Sequence, residues 1–274
     1  MKRNNIKSAM LRFFVYSASY ITISLVVLII AYILLSGIPN IKPSLFALHY
    51  TSDNCSLFPA FVNTVIIVAL SLVIGLPIGI FSAIYLTEYA KHGSRFVKLI
   101  RMMAETLSGI PSIVYGLFGY LFFNIALKFG YSILSGAITL SMMILPLIMR
   151  TSEEAIISVP DMYREGSYGL GAGKIKTIFS IVLPSAAPGI FGGIMLAIGR
   201  IIGETAALVF TAGTVAGIPD SVLGSGRTLS VHMYVLMNEG LHMNEAKGVA
   251  VILLILVLIL NSVSLYLQKR IKSK

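Results

Sequence analysis

The chain has 274 residues, of which 57% are hydrophobic and only 12% charged, with 21 Lys and Arg against 11 Asp and Glu. Such a composition excludes a soluble globular domain and requires several membrane spans. The net charge of +10 is no nucleic-acid footprint, because the basic residues sit between apolar stretches, where membrane topology alone accounts for them.

A helix needs about 20 apolar residues to cross about 30 Å of hydrocarbon. Charge-poor stretches of that length predict six transmembrane helices, at 17–37, 61–86, 108–127, 131–149, 184–212 and 248–267, in an all-α polytopic membrane protein. The first follows Lys2, Arg3, Lys7 and Arg12 as a secretory signal would. It is too long for a signal's apolar region and no small-residue cleavage site follows, so it reads as a retained span. Sixteen of the 21 basic residues lie in the N-terminus, loop 87–107, loop 150–183 and the tail. The bias of short cytoplasmic loops toward Lys and Arg then places both termini in the cytoplasm. Cys55 is the sole cysteine, has no internal partner and receives no role.

The second span carries Gly75-Leu-Pro77-Ile-Gly79, expected to break or kink the helix and to lie inside the bundle, where protein or water satisfies the freed backbone groups. Ser108-Gly-Ile-Pro111-Ser112 opens the third span with a helix-start proline. The link Lys128–Tyr131 is so short that the third and fourth spans are antiparallel neighbours.

Loop 150–183 is a polar island between apolar segments. Pro160-Asp161 starts a helix, Glu165 falls in its second turn, and Gly169, Gly171 and Gly173 end it. Lys174-Ile-Lys-Thr-Ile-Phe-Ser-Ile181 alternates basic and apolar residues, as a segment at the membrane surface would. Gly169-Leu-Gly-Ala-Gly-Lys174 looks glycine-rich but has Tyr168 and Ile175 where a phosphate loop needs Gly and Ser or Thr, so this chain does not itself bind ATP.

In the fifth span Arg200 and Glu204 are four apart, predicted on one helix face within pairing distance, with Thr205 beside them. An Arg at mid-membrane costs about 2.5–3.5 kcal/mol, so such residues face a bundle interior. The pair would either lock two helices together or form an anion site. A guanidinium forks onto oxyanion oxygens, and a carboxylate can accept the proton that phosphate keeps near neutral pH and sulfate lacks. Gly189, Gly193, Gly199 and Gly203 follow the spacing that lets helices approach closely. In the outer loop 213–247, His232 and His242 read as surface histidines rather than a metal site, and Leu229, Met233, Leu236 and Met237 as an amphipathic helix on the membrane or against a binding protein. The spans hold no His, no Cys and no paired carboxylates suited to acid–base work, which argues against an intramembrane enzyme.

Glu165-Gly166-Ser167, three residues, Gly171, nine residues, Ile181, one residue and Leu183-Pro184 resembles the EAA loop of the membrane subunits of ABC importers, with Gly166 and Ser167 replacing two alanines. Gly109–Gly119, Pro146–Ala155 and Gly199–Leu208 resemble the phosphate permeases of that class, the PstA family more than its PstC sister. The resemblance covers roughly residues 60–268 and implies a type I ABC importer permease fold. The corresponding division is 1–60 for the N-terminal segment, first span and outer loop, 61–268 for the transmembrane domain, and 269–274 for a cytoplasmic tail. It further implies that Glu165, Gly166, Ser167, Gly171, Ile181, Leu183 and Pro184 couple to a separate ATPase, and that Arg200, Glu204 and Thr205 line the substrate pathway. The implied partners are a second, PstC-like permease subunit, an ATPase subunit dimer that carries the ATP and Mg, an extracytoplasmic phosphate-binding protein and membrane lipid. The implied function is ATP-driven import of phosphate across the cytoplasmic membrane, with no cofactor bound by this chain. Another oxyanion, molybdate or sulfate, is the alternative substrate.

Overall fold

In hydrocarbon every backbone polar group must bond within its own segment, which leaves a chain of this composition little but helices. A computed structural model describes residues 2–91 and 93–272, and no strand occurs among them. Among the described residues five helices are long and apolar enough to cross a membrane. A sixth crossing requires α3 (Arg95–Ser108) and α4 (Ser112–Gly119, prolonged by a π turn to Ala126) together, and these meet at 98°. Pro111 disfavours a helical Ile110, so the chain turns there rather than running straight. The basic loop ahead of the third span is therefore itself a helix, and it leaves Phe96, Leu99, Met102 and Met103 exposed.

The centre of the molecule is α5 (Ile133–Ile157), whose most apolar window is 67% buried against 6% for α1 (Lys2–Gly37). On it pack α2 (Phe58–Ile84) and α8 (Leu183–Gly203). Contrary to the expected break, α2 runs unbroken through Pro77. Gly75 and Gly79 instead let α5 come close: a Cβ on Gly79 would lie 2.7 Å from Ile148 Cγ2. Gly189 and Gly193 do the same between α8 and α5, against Ala155 and Thr151, whereas Gly199 and Gly203 have nothing within 4 Å. Overpacking a tight contact costs about 1–3 kcal/mol. Gly79→Ala is accordingly expected to lower the melting temperature of the isolated, detergent-solubilised chain, and Gly199→Ala to leave it unchanged.

The fifth span is shifted relative to expectation. Helix α7 (Lys174–Thr177), a π turn (Ile178–Val182) and α8 form one helix from Lys174 to Gly203. The basic strip 174–181 is thus the first part of the span, not a segment lying on the membrane. The π turn precedes Pro184, which has no N–H for the regular ladder. The span stops at Gly203 instead of 212, and a short α9 (Ala206–Thr211) resumes after two residues.

Helix α10 (Leu229–Glu239) is buried along one face, although Tyr234 and Met237 remain exposed. Leu229, Leu236 and His232 are fully buried, and the two leucines join Leu45, Leu57 and Val249 of the outer loop and α11 (Met243–Lys272) in one apolar cluster. The segment that carries Leu45 and Leu57 covers the Leu229, His232 and Leu236 face of α10, and the opposite face stays exposed.

Candidate functional site

Arg200 lies in the last turn of α8, where the unpaired carbonyls of the helix end favour a cation. It is half-buried, makes no hydrogen bond or ion pair among the described residues, and stands near enough to Tyr115 of α4 for its charge to act on the phenol. Glu204 does not pair with it. The helix has already ended: Glu204 is extended (φ −73°, ψ 127°), and its Oε1 accepts the N–H of Ala207 at 3.1 Å, capping α9. Its backbone carbonyl accepts the Ser230 hydroxyl at 2.6 Å. Four-residue spacing places two side chains on one face only while the helix continues, and the free N–H groups of α9 supply a nearer partner. Thr205 completes the break, its carbonyl accepting from Val209 N at 3.1 Å. The break therefore presents an uncommitted guanidinium beside a carboxylate that has one oxygen engaged.

Two further buried polar side chains were not legible from spacing. Arg227 is 3% exposed with Nε and Nη2 unpartnered, and its guanidinium stacks 4.6 Å from the Tyr50 ring centroid. His232 Nε2 lies 3.1 Å from the Cys55 carbonyl. A carbonyl only accepts, so that nitrogen carries a proton. Burial, aided by the nearby Arg227 charge, pushes the His232 pKa down from 6.5 to about 3. In the unfolded chain the ring takes up a proton near pH 6.5, and in the folded one only near 3. His232 thus contributes stability in full above pH 6.5, and loses it as pH falls through that window. Melting temperatures between pH 7.5 and 5 should decline in the wild type and decline less steeply in His232→Gln, which retains a donor for Cys55.

The second region is the polar island. The helix predicted after Pro160 is α6 (Asp161–Gly169). It ends in the left-handed turn that a glycine favours: Gly171 has φ +82°, Ala172 N bonds Ser167 O and Gly171 N bonds Tyr168 O. Ser167 is buried, its hydroxyl 2.8 Å from that of Thr177, which ties α6 to α7. Glu165, Gly166 and Gly171 are exposed, and Ile181, Leu183 and Pro184 lie two to three turns into the Lys174–Gly203 helix, in the π turn and the first turn of α8. Around them Met162 is 71% exposed, Leu170 90% and Ile175 67%. Gly166, Ser167, Gly171 and Ile181 line one groove with Met162 and Leu170 at its edge, whereas Glu165, Leu183 and Pro184 lie outside it, and Arg200 lies at the far end of the same span helix.

A rigid helical bundle with a protruding polar helix between two spans defines a membrane component of a transport machine. The chain belongs to the binding-protein-dependent transport system inner membrane component family, which matches residues 75–274. It is 34% identical over 228 residues to the probable ABC transporter permease protein YqgI of Bacillus subtilis (strain 168), covering 77% of each chain. It is also 34% identical over 208 residues to the phosphate transport system permease protein PstA 1 of Mycobacterium tuberculosis (strain CDC 1551 / Oshkosh), covering 75% of this chain and 68% of that one. Its fold, that of type I ABC importer permeases, matches the inward-facing MetNI methionine ABC transporter with a TM-score of 0.63 at 19% identity, over 78% of this chain and 94% of that one.

Proposed function

We propose that this chain is the PstA-type permease subunit of an ATP-driven phosphate importer, with both termini and α6 in the cytoplasm. The observation that carries the reading is Arg200, a guanidinium in the last turn of a long apolar helix with no hydrogen-bond or ion-pair partner among the described residues, at a break where a Cβ on Gly199 or Gly203 would meet nothing within 4 Å. A sister PstC-like permease packed on those glycines would enclose the route between the two subunits. The exposed apolar rim of α6 supports docking on an ATPase subunit dimer, which binds ATP and Mg. An extracytoplasmic phosphate-binding protein delivers substrate to the outer face. When the ATPase dimer closes, α6 moves, and because it hangs between α5 and the Lys174–Gly203 helix it carries both with it. The Arg200 break then opens to the other side.

In this reading Arg200 binds phosphate oxygens, the free oxygen of Glu204 accepts the phosphate proton, and Thr205 adds a hydroxyl. Sulfate, with no proton to give, meets only repulsion at Glu204. The test is ATP-dependent uptake by the reconstituted importer with phosphate and sulfate in competition. Phosphate is expected to win, and sulfate or molybdate winning, or uptake without ATP, would overturn the assignment. Glu204→Gln keeps an acceptor for Ala207 but presents an amide donor to the substrate. It is expected to narrow phosphate-over-sulfate preference roughly tenfold or more, the lower end of what one hydrogen bond to a charged group is worth.

A further inference from the structure

The exposed face of α6 accounts for docking but not for how motion leaves it. Arg164 supplies that connection. Its side chain points away from the apolar rim and is only 15% exposed. Nε and Nη2 both donate to Glu88 Oε1, at 3.0 and 2.8 Å, across 76 residues of sequence. Nη2 also donates to Ile156 O at 3.0 Å, and Nη1 to Val159 O at 2.8 Å and to Asp161 Oδ1 at 3.2 Å. A guanidinium has five N–H donors in a rigid planar fork, and here the fork spans three elements. Glu88 sits in the π turn Tyr85–Tyr89 that ends α2, and is 7% exposed. Ile156 lies in the last turn of α5 and Val159 two residues past its end, where carbonyls point out of the helix and a cation is favoured. A second cation strengthens the same place, since Lys174 Nζ of α7 lies 4.6 Å above the Tyr89 ring centroid.

We infer that Arg164 is the positioning residue through which displacement of α6 reaches the bundle, by way of its link to Glu88 on α2 and to the end of α5. The chain itself ties α6 only to α5 and α7. The helix α2 has no covalent neighbour in the island, yet it packs along α5 through Gly75 and Gly79. Without Arg164 a push on α6 would be absorbed in the connection at 158–160. With it, α2 and α5 move as one body with α6. A π turn suits the receiving end, because its wider ladder yields locally while the buried ion pair keeps hold of it. Removing Arg164 leaves Glu88 buried without its partner, whereas removing Glu88 leaves Arg164 with Asp161 and two carbonyls, so the larger loss is expected from Arg164.

The inference rests on α6 being the element that meets the ATPase. The experiment is a double-mutant cycle on the complete reconstituted importer, reading inorganic phosphate transported per ATP hydrolysed, with assembly followed by co-purification of the ATPase subunits. Glu88→Gln and Arg164→Gln are each expected to lower that ratio at least tenfold while ATP hydrolysis stays within about twofold of the wild type. The double variant should be no worse than Arg164→Gln alone, and Arg164→Lys, which keeps charge but not the fork, should fall between. An unchanged ratio in the single variants, or losses that multiply in the double variant, would overturn the inference. Loss of the ATPase from Glu88→Gln, which leaves α6 itself untouched, would make the pair a docking element and overturn it equally. A wild-type importer that moves sulfate but not phosphate would instead refute the substrate assignment, and the same cycle read with sulfate would still decide the role of Arg164.

Discussion

Arg200→Ala is expected to reduce ATP-driven phosphate uptake by on the order of a hundredfold or more, with assembly and membrane insertion intact. Hydrogen bonds to a charged group are worth about 1.5–3 kcal/mol each, and each 1.4 kcal/mol is tenfold in affinity, so losing a two-pronged contact removes at least two orders of magnitude. The protein around Arg200 has little reason to collapse, since no hydrogen bond or ion pair from other described residues depends on it. Removing an unpaired charge from a long apolar helix relieves burial cost rather than adding to it. Arg200→Lys keeps a charge but not the planar fork and should retain an intermediate rate. Uptake of labelled phosphate into proteoliposomes carrying the whole importer checks both. Wild-type rates in Arg200→Ala would remove the site.

Gly171→Val is expected to separate ATP hydrolysis from transport, with uptake falling roughly tenfold while the ATPase continues to turn over. Gly171 closes α6 at φ +82°, and a Cβ there meets nothing within 4 Å, so the penalty is conformational rather than steric. An L side chain in the left-handed region costs about 1–2 kcal/mol, more for a β-branched one. That strain opens the bonds Gly171 N→Tyr168 O and Ala172 N→Ser167 O and frays the end of α6, on which the exposed Leu170 sits. Gly171→Asn tolerates this conformation and should remain close to the wild type. The decisive measurement is the ratio of phosphate moved to ATP consumed in the purified complex, and equal ratios in Gly171→Val and the wild type would show that the turn has no part in coupling.

Much of the coupling region was legible in the sequence because its rules are local. Pro160 and Asp161 start α6 and Gly171 ends it, and of the motif residues Gly166, Ser167, Gly171 and Ile181 line one groove. The Arg200 site was only half legible. A charge within an apolar run stands out in any sequence, but the four-residue spacing to Glu204 assumed a helix that Gly203 ends. Nothing in the run 184–212 announces that end, since its residues are as apolar after the break as before it. What fixes it is tertiary: Ser230 holds the Glu204 carbonyl, and Asn124 Nδ2 bonds Phe210 O and Thr211 O of α9. His232 and Arg227 were hidden for a similar reason. Polar residues in an outer loop default to the surface, until α10 is packed beneath the segment that carries Tyr50 and Cys55.

The amino-acid order by itself determined that this protein is a helical membrane bundle, roughly where its spans lie, where its polar island sits and that one arginine falls within a long apolar run. Hydropathy summed over about 20 residues, and the capping and turn chemistry of single residues, need no knowledge of what a segment touches. Only the tertiary structure decided that α2 stays whole through Pro77, that α3 and α4 meet at 98°, that Glu204 caps a helix instead of pairing, and that Arg164 grips Glu88. Each of these depends on which distant groups compete for a backbone or side-chain partner, and that competition is settled only when the helices have packed.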